Sequence, residues 1–144
     1  MKKMLSLFAL VTVAALFTGC ASGPKYSAIH STFPPIAQDS GRIYFYRDSM
    51  LGAAISPPVK LNGNPVGTAQ AQGFFYVDRP PGNYTVETST EVTRRLSLML
   101  DSNQTRYVKL NISMGFFVGH VYPELVENAI GEKEIIDCKY TGGK

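Results

Sequence analysis

The sequence predicts an all-β fold: a single small antiparallel β-sandwich over residues 41–144, preceded by a leader and a flexible tether. Three observations predict it. At least six short segments rich in aromatic and β-branched residues recur between residues 41 and 138. Turn chemistry separates them, with 13 Gly and 9 Pro in the chain. Tyr and Phe number 8 each while Trp is absent, a payload suited to strands rather than to a helical bundle. A chain of 144 residues holds one ordinary domain. The roughly 104 residues after the tether suffice for one core.

The leader comes first. Met1-Lys2-Lys3 is a short positive start, and Met4 to Phe17 is uncharged and apolar apart from Ser6 and Thr12. A helix rises ~1.5 Å per residue, so this run falls short of a ~30 Å hydrocarbon core. It suits an export signal better than a permanent span. Leu16-Phe17-Thr18-Gly19-Cys20 closes it. The small-small-Cys ending resembles the bacterial lipobox. Phe17 departs from it, since Leu is usual there and Leu16 lies one position early. The resemblance implies a lipoprotein signal peptide over residues 1–19, cleavage before Cys20, and a lipid (diacylglyceryl and a further acyl chain such as palmitate) on Cys20. Ala21 rather than Asp after the cysteine implies transfer to the outer membrane, with the domain facing the periplasm. The alternative is a plain secretory signal with Cys20 as an ordinary residue.

Removal of Lys2 and Lys3 takes the 14 basic residues to 12, against 11 acidic ones. The mature chain is then nearly neutral, which argues against nucleic acid as a partner. Residues 20–40 show no period of 2 or 3.6 and are rich in small, polar and proline residues, so they read as the lipidated end and a spacer. Phe33, Ile36 and Pro34-Pro35 are more apolar than a free linker needs, and that end is a candidate for docking on the domain. His30 reads as solvated.

The strands follow in order. Gly41–Arg47 is apolar on both faces, Ile43 and Phe45 on one and Tyr44 and Tyr46 on the other, as a central strand would be. Val59-Lys60-Leu61 and Val66-Gly67-Thr68 flank Asn62-Gly63, a hairpin turn signal, with Pro65 suggesting a turn longer than two residues. Phe74–Asp78 and Tyr84–Thr88 flank Arg79-Pro80-Pro81-Gly82-Asn83. Leu96, Leu98 and Leu100 alternate with polar or exposed positions, as do Val108, Leu110 and Ile112, and these two segments are expected to pair as a hairpin. Gly115–Gly119 is an apolar run bounded by glycines. A short helix competes with strand over Pro123–Ala129, and Glu134–Cys138 reads as a closing strand.

Gly41-Arg42-Ile43-Tyr44-Phe45-Tyr46-Arg47, Leu61-Asn62-Gly63-Asn64-Pro65-Val66-Gly67, Gly73-Phe74-Phe75-Tyr76-Val77 and Pro80-Pro81-Gly82-Asn83-Tyr84-Thr85 occur in that order. With Met114–Gly119 and the ending near Cys138-Lys139, the pattern resembles the small bacterial lipoproteins carrying the domain of unknown function 2846. The resemblance covers residues 41–139. It implies a β-sandwich and an envelope location, and it transfers no catalytic residue. The turn-and-core signature is also similar to PEGA modules and prealbumin-like sandwiches, which are mostly structural or binding domains.

Nucleophilic catalysis needs a nucleophile, a base and an orienting group in reach. His120 is the one imidazole expected in the domain, and no nucleophile elbow, phosphate loop or paired-carboxylate pattern accompanies it. His120, Tyr122 and Glu124 would share a strand face, but Pro123 interrupts it and a third strong metal ligand is missing. No catalytic residue, metal or cofactor is therefore assigned. Tyr44, Tyr46 and Tyr76 are the candidate ligand contacts, an aromatic platform for a glycan such as peptidoglycan. Core packing is the competing use of those rings. Arg94, Arg95 and Arg106 could form a small basic patch or a merely solvated face. Cys138 lacks a partner once Cys20 carries lipid, and reads as a buried thiol or an interchain disulfide. The sequence thus favours a lipid-anchored envelope protein with a non-catalytic structural or interaction module. A glycan-binding module and an enzyme using His120 are the alternatives. If the strand aromatics are interior, the site is expected in the loops at residues 48–58 and 113–123.

Overall fold

The computed structural model describes residues 19–143. The signal peptide expected over residues 1–19 therefore falls, except for Gly19, outside the described residues. Two sheets face each other. One holds five strands: β1 (Gly41–Arg47), β4 (Gly73–Arg79), β7 (Thr105–Ser113), β8 (His120–Val126) and the two-residue β9 (Lys139–Tyr140). Their order is β8-β7-β1-β4-β9. The other holds β2 (Pro58–Leu61), β3 (Asn64–Thr68), β5 (Gly82–Ser89) and β6 (Thr93–Leu100) in the order β3-β2-β5-β6. Pairing is antiparallel except for β1 with β7 and β4 with β9, which run parallel.

β1 is central, and every residue of it is buried. The two-residue period of a strand explains why both faces are apolar. Ile43 and Phe45 enter the space between the sheets, where they meet Val59, Leu61, Val86 and Leu100. Phe45 stacks on Phe75 with ring centroids 4.9 Å apart. Tyr44 and Tyr46 enter a second apolar layer on the outer face of the same sheet, with Phe74, Tyr107, Ile135 and Cys138.

The Asn62-Gly63 signal holds in its tightest form. Asn62 (φ 49°) and Gly63 (φ 81°) make a two-residue turn, shorter than Pro65 suggested. Pro65 is accommodated because β3 is an edge strand, where a missing N–H costs no ladder bond.

Two expected pairings differ. β6 and β7 do not form a hairpin: β6 pairs with β5, and β7 with β1 and β8. The polar turn at residues 101–104 carries the chain from one sheet to the other. It is drawn to the start of β1, since Asn103 N donates to Ser40 O at 2.7 Å and Arg42 N to Gln104 O at 2.8 Å. Alternation in both segments is real, but it fixes faces and not partners. Their leucines line one core from opposite sides. The closing strand over Glu134–Cys138 is instead the end of helix α2 (Asn128–Glu134) and a 3-10 turn (Ile135–Asp137). The helix seats on Tyr107 because Gly131 has no Cβ, and one placed there would lie 2.3 Å from the ring. Cys138 is buried as expected, through helix–sheet packing rather than strand parity, because Ile136 is exposed.

The largest difference concerns residues 20–40. Composition suggested a flexible tether, yet this segment forms a strap across the outer aromatic layer. Ala21 N donates to Ala71 O at 3.0 Å, Tyr26 N to Cys138 O at 2.8 Å, and Tyr140 N to Pro24 O at 2.8 Å. A single-turn helix α1 (Tyr26–Ile29) and a 3-10 turn (His30–Thr32) turn Tyr26, Ile29 and Phe33 toward the sheet. Tyr26 meets Phe74 edge-on at 5.3 Å and Phe33 meets Tyr76 at 4.7 Å. Arg42 pins the far end, donating to Pro34 O at 2.8 Å while it grips Asp78 through two bonds of 2.7 and 2.8 Å.

Candidate functional site

The tyrosines proposed as a ligand platform are brought together, but Tyr44 and Tyr76 lie against the strap and Tyr46 against the end of α2. Tyr46 is fully buried, Tyr44 is 6% exposed and Tyr76 is half-buried. Tyr44 stacks on Tyr107 with centroids 5.2 Å apart, and the Arg42 guanidinium lies 4.3 Å over the Tyr76 ring. Burial pushes the Tyr44 phenol up to about 12, partly offset by Arg42. Asp78 holds Arg42 firmly protonated against the cost of burial. These rings are core payload, and the exposed-platform expectation for Tyr44 and Tyr46 is corrected accordingly.

A polar cluster closes this layer. Tyr46 Oη donates to Glu134 Oε2 at 2.6 Å, and Lys109 Nζ donates to Glu134 Oε2 and to Asp48 Oδ2, each at 2.9 Å. Burial alone would raise the Glu134 carboxyl, but the bonds from Tyr46 and Lys109 prevail and hold it below its ordinary 4.5. Burial pushes the Cys138 thiol beside it up to about 12, so it stays protonated and a poor nucleophile. Because the folded carboxyl is the stronger acid, its stabilisation is complete above 4.5 and is lost as pH falls through the lower folded value. Glu134→Gln is expected to cost about 1 kcal/mol at pH 7. It should also flatten the acid limb of the stability curve below 4.5, read by denaturant melts from pH 3 to 7.

His120 turns its ring to the 90–92 loop rather than to Glu124. Its Nδ1 lies 3.2 Å from Thr90 Oγ1 and its Nε2 3.7 Å from Glu91 Oε2, while Glu124 accepts from Asn111 on the next strand. Among the described residues no group of three His, Cys, Asp or Glu side chains is placed to hold a metal. Arg95 pairs with Glu87 at 2.8 Å, and Arg94 with Arg95 borders a shallow groove of about 430 Å³ beside Tyr122. Arg106 instead donates to Met99 O at 3.1 Å, away from that groove.

What does assemble is one end of the sandwich. The registers place the ends of β1, β3, β5 and β7 there with the starts of β2, β4, β6 and β8, since Arg47 faces Gly73, Ser113 faces His120, Pro58 faces Thr68 and Ser89 faces Thr93. Loops 48–57, 69–72, 90–92 and 114–119 therefore crowd together. Arg47, with no side-chain exposure, organises the first of them. Its guanidinium donates to the carbonyls of Leu51, Gly52 (2.9 Å), Ile55 (2.6 Å) and Ala69 (2.8 Å), while its Nε has no hydrogen-bond partner among the described residues. Burial pulls its pKa down. Loops 48–57 and 114–119 touch, because a Cβ on Gly119 would meet Ile55 and Ile112 at 3.0 and 3.1 Å.

Cys20 joins the same end. It bridges to Ala71, two residues before β4, and a Cβ on Gly19 would lie 2.4 Å from Ala53 O. This end also carries bare apolar side chains: Phe116 is 91% exposed, Phe117 85%, Met114 76% and Met50 59%. The glycine-bounded run was visible in the sequence; its exposure was not. Among the described residues no helix is long and apolar enough to cross a membrane.

A protein of Haemophilus influenzae, described as uncharacterized, is 25% identical over 139 residues, covering 93% of this chain and 83% of its own. No solved structure matches the chain. The family model for proteins of unknown function DUF2846 matches residues 37–121, from just before β1 to the start of β8. More than half of the chain lies within that match, and the chain belongs to the DUF2846 family.

Proposed function

We propose that this chain is a lipid-anchored protein of the bacterial outer membrane, facing the periplasm, in which Cys20 carries the lipid and the β-sandwich is a non-catalytic structural or interaction module. The observation that carries the reading is the position of Cys20. It follows a signal-like leader, it is only half-buried, and the very next residue is hydrogen-bonded into the fold through Ala71. A 20-residue spacer could span up to about 65 Å when extended. A strap leaves no such slack, so lipid on Cys20 would hold the loop end of the sandwich directly against the bilayer. The non-catalytic part is supported by the buried, protonated Cys138 thiol, a poor nucleophile.

Replacement of the acceptor tests this. Cys20→Ser in the native host is expected to abolish incorporation of labelled palmitate and to release the protein from the membrane fraction. A single acyl chain binds only marginally and two or more bind stably, so complete loss of the anchor is a large effect. Unchanged labelling and retention in the variant would overturn the proposal.

A further inference from the structure

We infer that the apolar loop at residues 114–118, with Met50 and Leu51 beside it, is a second membrane contact that inserts into the leaflet holding the lipid on Cys20. The inference rests on the anchor reading above and adds an orientation to it. Four observations carry it.

The loop shows its apolar side chains to solvent. Phe116 and Phe117 pack on each other edge to face at 4.8 Å, yet each is more than four-fifths exposed. Met114 and Val118 flank them, and Met50 and Leu51 are half exposed or more. Soluble surfaces scatter such residues singly, and a cluster marks a contact.

The cluster is continuous with the anchor. Cys20 bridges to Ala71, the Arg47 guanidinium joins Ala69 O to the carbonyls of Leu51 and Gly52, Gly52 lies against Ile112, and Gly119 lies against Ile55 and Ile112. The path from Cys20 to the phenylalanines thus runs through touching residues of one end of the fold.

That path is held in shape. Arg47 binds the carbonyls of Leu51, Gly52 and Ile55, and the Ala21–Ala71 hydrogen bond fixes the chain beside Cys20. With the lipid attached one residue before a fixed point, the end bearing Cys20 faces the bilayer, and the loop shares that end.

The shape also suits a bilayer. The two rings project into solvent from the bend at residues 114–119. A protein partner would need a matching cavity, whereas an acyl boundary accommodates any apolar projection.

The chain contains no Trp, so one introduced residue is a unique reporter. Phe117→Trp is placed at an exposed position, where folding is not at stake. Ser102→Trp, in the exposed turn between β6 and β7 at the opposite end, is the control. The full mature chain, purified from the host envelope, is reconstituted into vesicles of phosphatidylethanolamine and phosphatidylglycerol doped with dibrominated phosphatidylcholine. The same samples are weighed intact by mass spectrometry. The expected result is blue-shifted, bromolipid-quenched emission from Trp at 117 and unquenched, water-like emission from Trp at 102. Acylated Cys20 with both reporters unquenched, as when a protein partner covers the loop, overturns the insertion and leaves the anchor standing. Equal quenching at both ends overturns the orientation. An unacylated Cys20 removes the anchor and this inference with it.

Discussion

Arg47→Met is expected to lower the stability of the domain by about 3 kcal/mol or more, in line with breaking a buried charged network. Four carbonyl groups now accept from one guanidinium that has no exposed surface. Methionine fills part of the space and donates nothing. The carbonyl of Ala69 would then be left buried and unpaired, at a cost of about 1–3 kcal/mol unless water enters, and the half-buried carbonyl of Ile55 would lose its partner too. Among the described residues the Arg47 Nε has no partner, so one donor there is already unmet, which moderates the loss. For a domain of this size the Tm should fall by roughly 10 °C. Arg47→Lys keeps the charge but not the planar fork, and should recover only part of the difference. Calorimetry of the three proteins tests this. Equal midpoints would mean that the carbonyls of loop 48–57 are satisfied by other means.

The second large effect comes from the strap. A flexible tether can be removed without cost to the domain, but removal of residues 21–36 should bring this fold close to unfolding. Tyr26, Ile29 and Phe33 cover Tyr44, Phe74 and Tyr76. Fully burying a side chain of that size is worth roughly 1.5–3 kcal/mol; these three are half-buried, so together they contribute a few kcal/mol, a large share of the stability of a typical domain. The shortened chain should bind a hydrophobic dye and lose its cooperative melt. A truncated domain with the melting profile of the complete chain would restore the tether reading.

The strap also shows where the sequence was legible and where it was not. β1, the Asn62-Gly63 hairpin and the Pro80-Pro81-Gly82 turn were readable because each rests on local chemistry: a two-residue period, positive φ, or a missing N–H. Tyr26, Ile29 and Phe33 do stand three and four residues apart, the spacing of a helix face. Two turns of helix amid Ser, Pro and Gly are too short for that period to rise above a linker's composition. The Leu98 and Leu110 strands show the limit of alternation, which names the buried face but not the neighbouring strand. Glu134–Cys138 shows a tertiary override, where the ring of Tyr107 and the bare Cα of Gly131 favour a helix over an apolar pair that suits a strand. At the site, the ending Leu16-Phe17-Thr18-Gly19-Cys20 singles out Cys20 in the sequence alone. The gathering of loops 48–57 and 114–119 around it depends on the parallel pairing of β1 with β7, which no local pattern encodes.

The central claim is that the mature chain begins at an acylated Cys20 held flush against the fold. Intact mass and N-terminal peptide mass spectrometry of protein extracted from its own host test it most directly. The account predicts a chain lacking residues 1–19, with a diacylglyceryl group on the Cys20 sulfur and a further acyl group on its amine. A free Cys20 thiol, or a leader still attached, would contradict it.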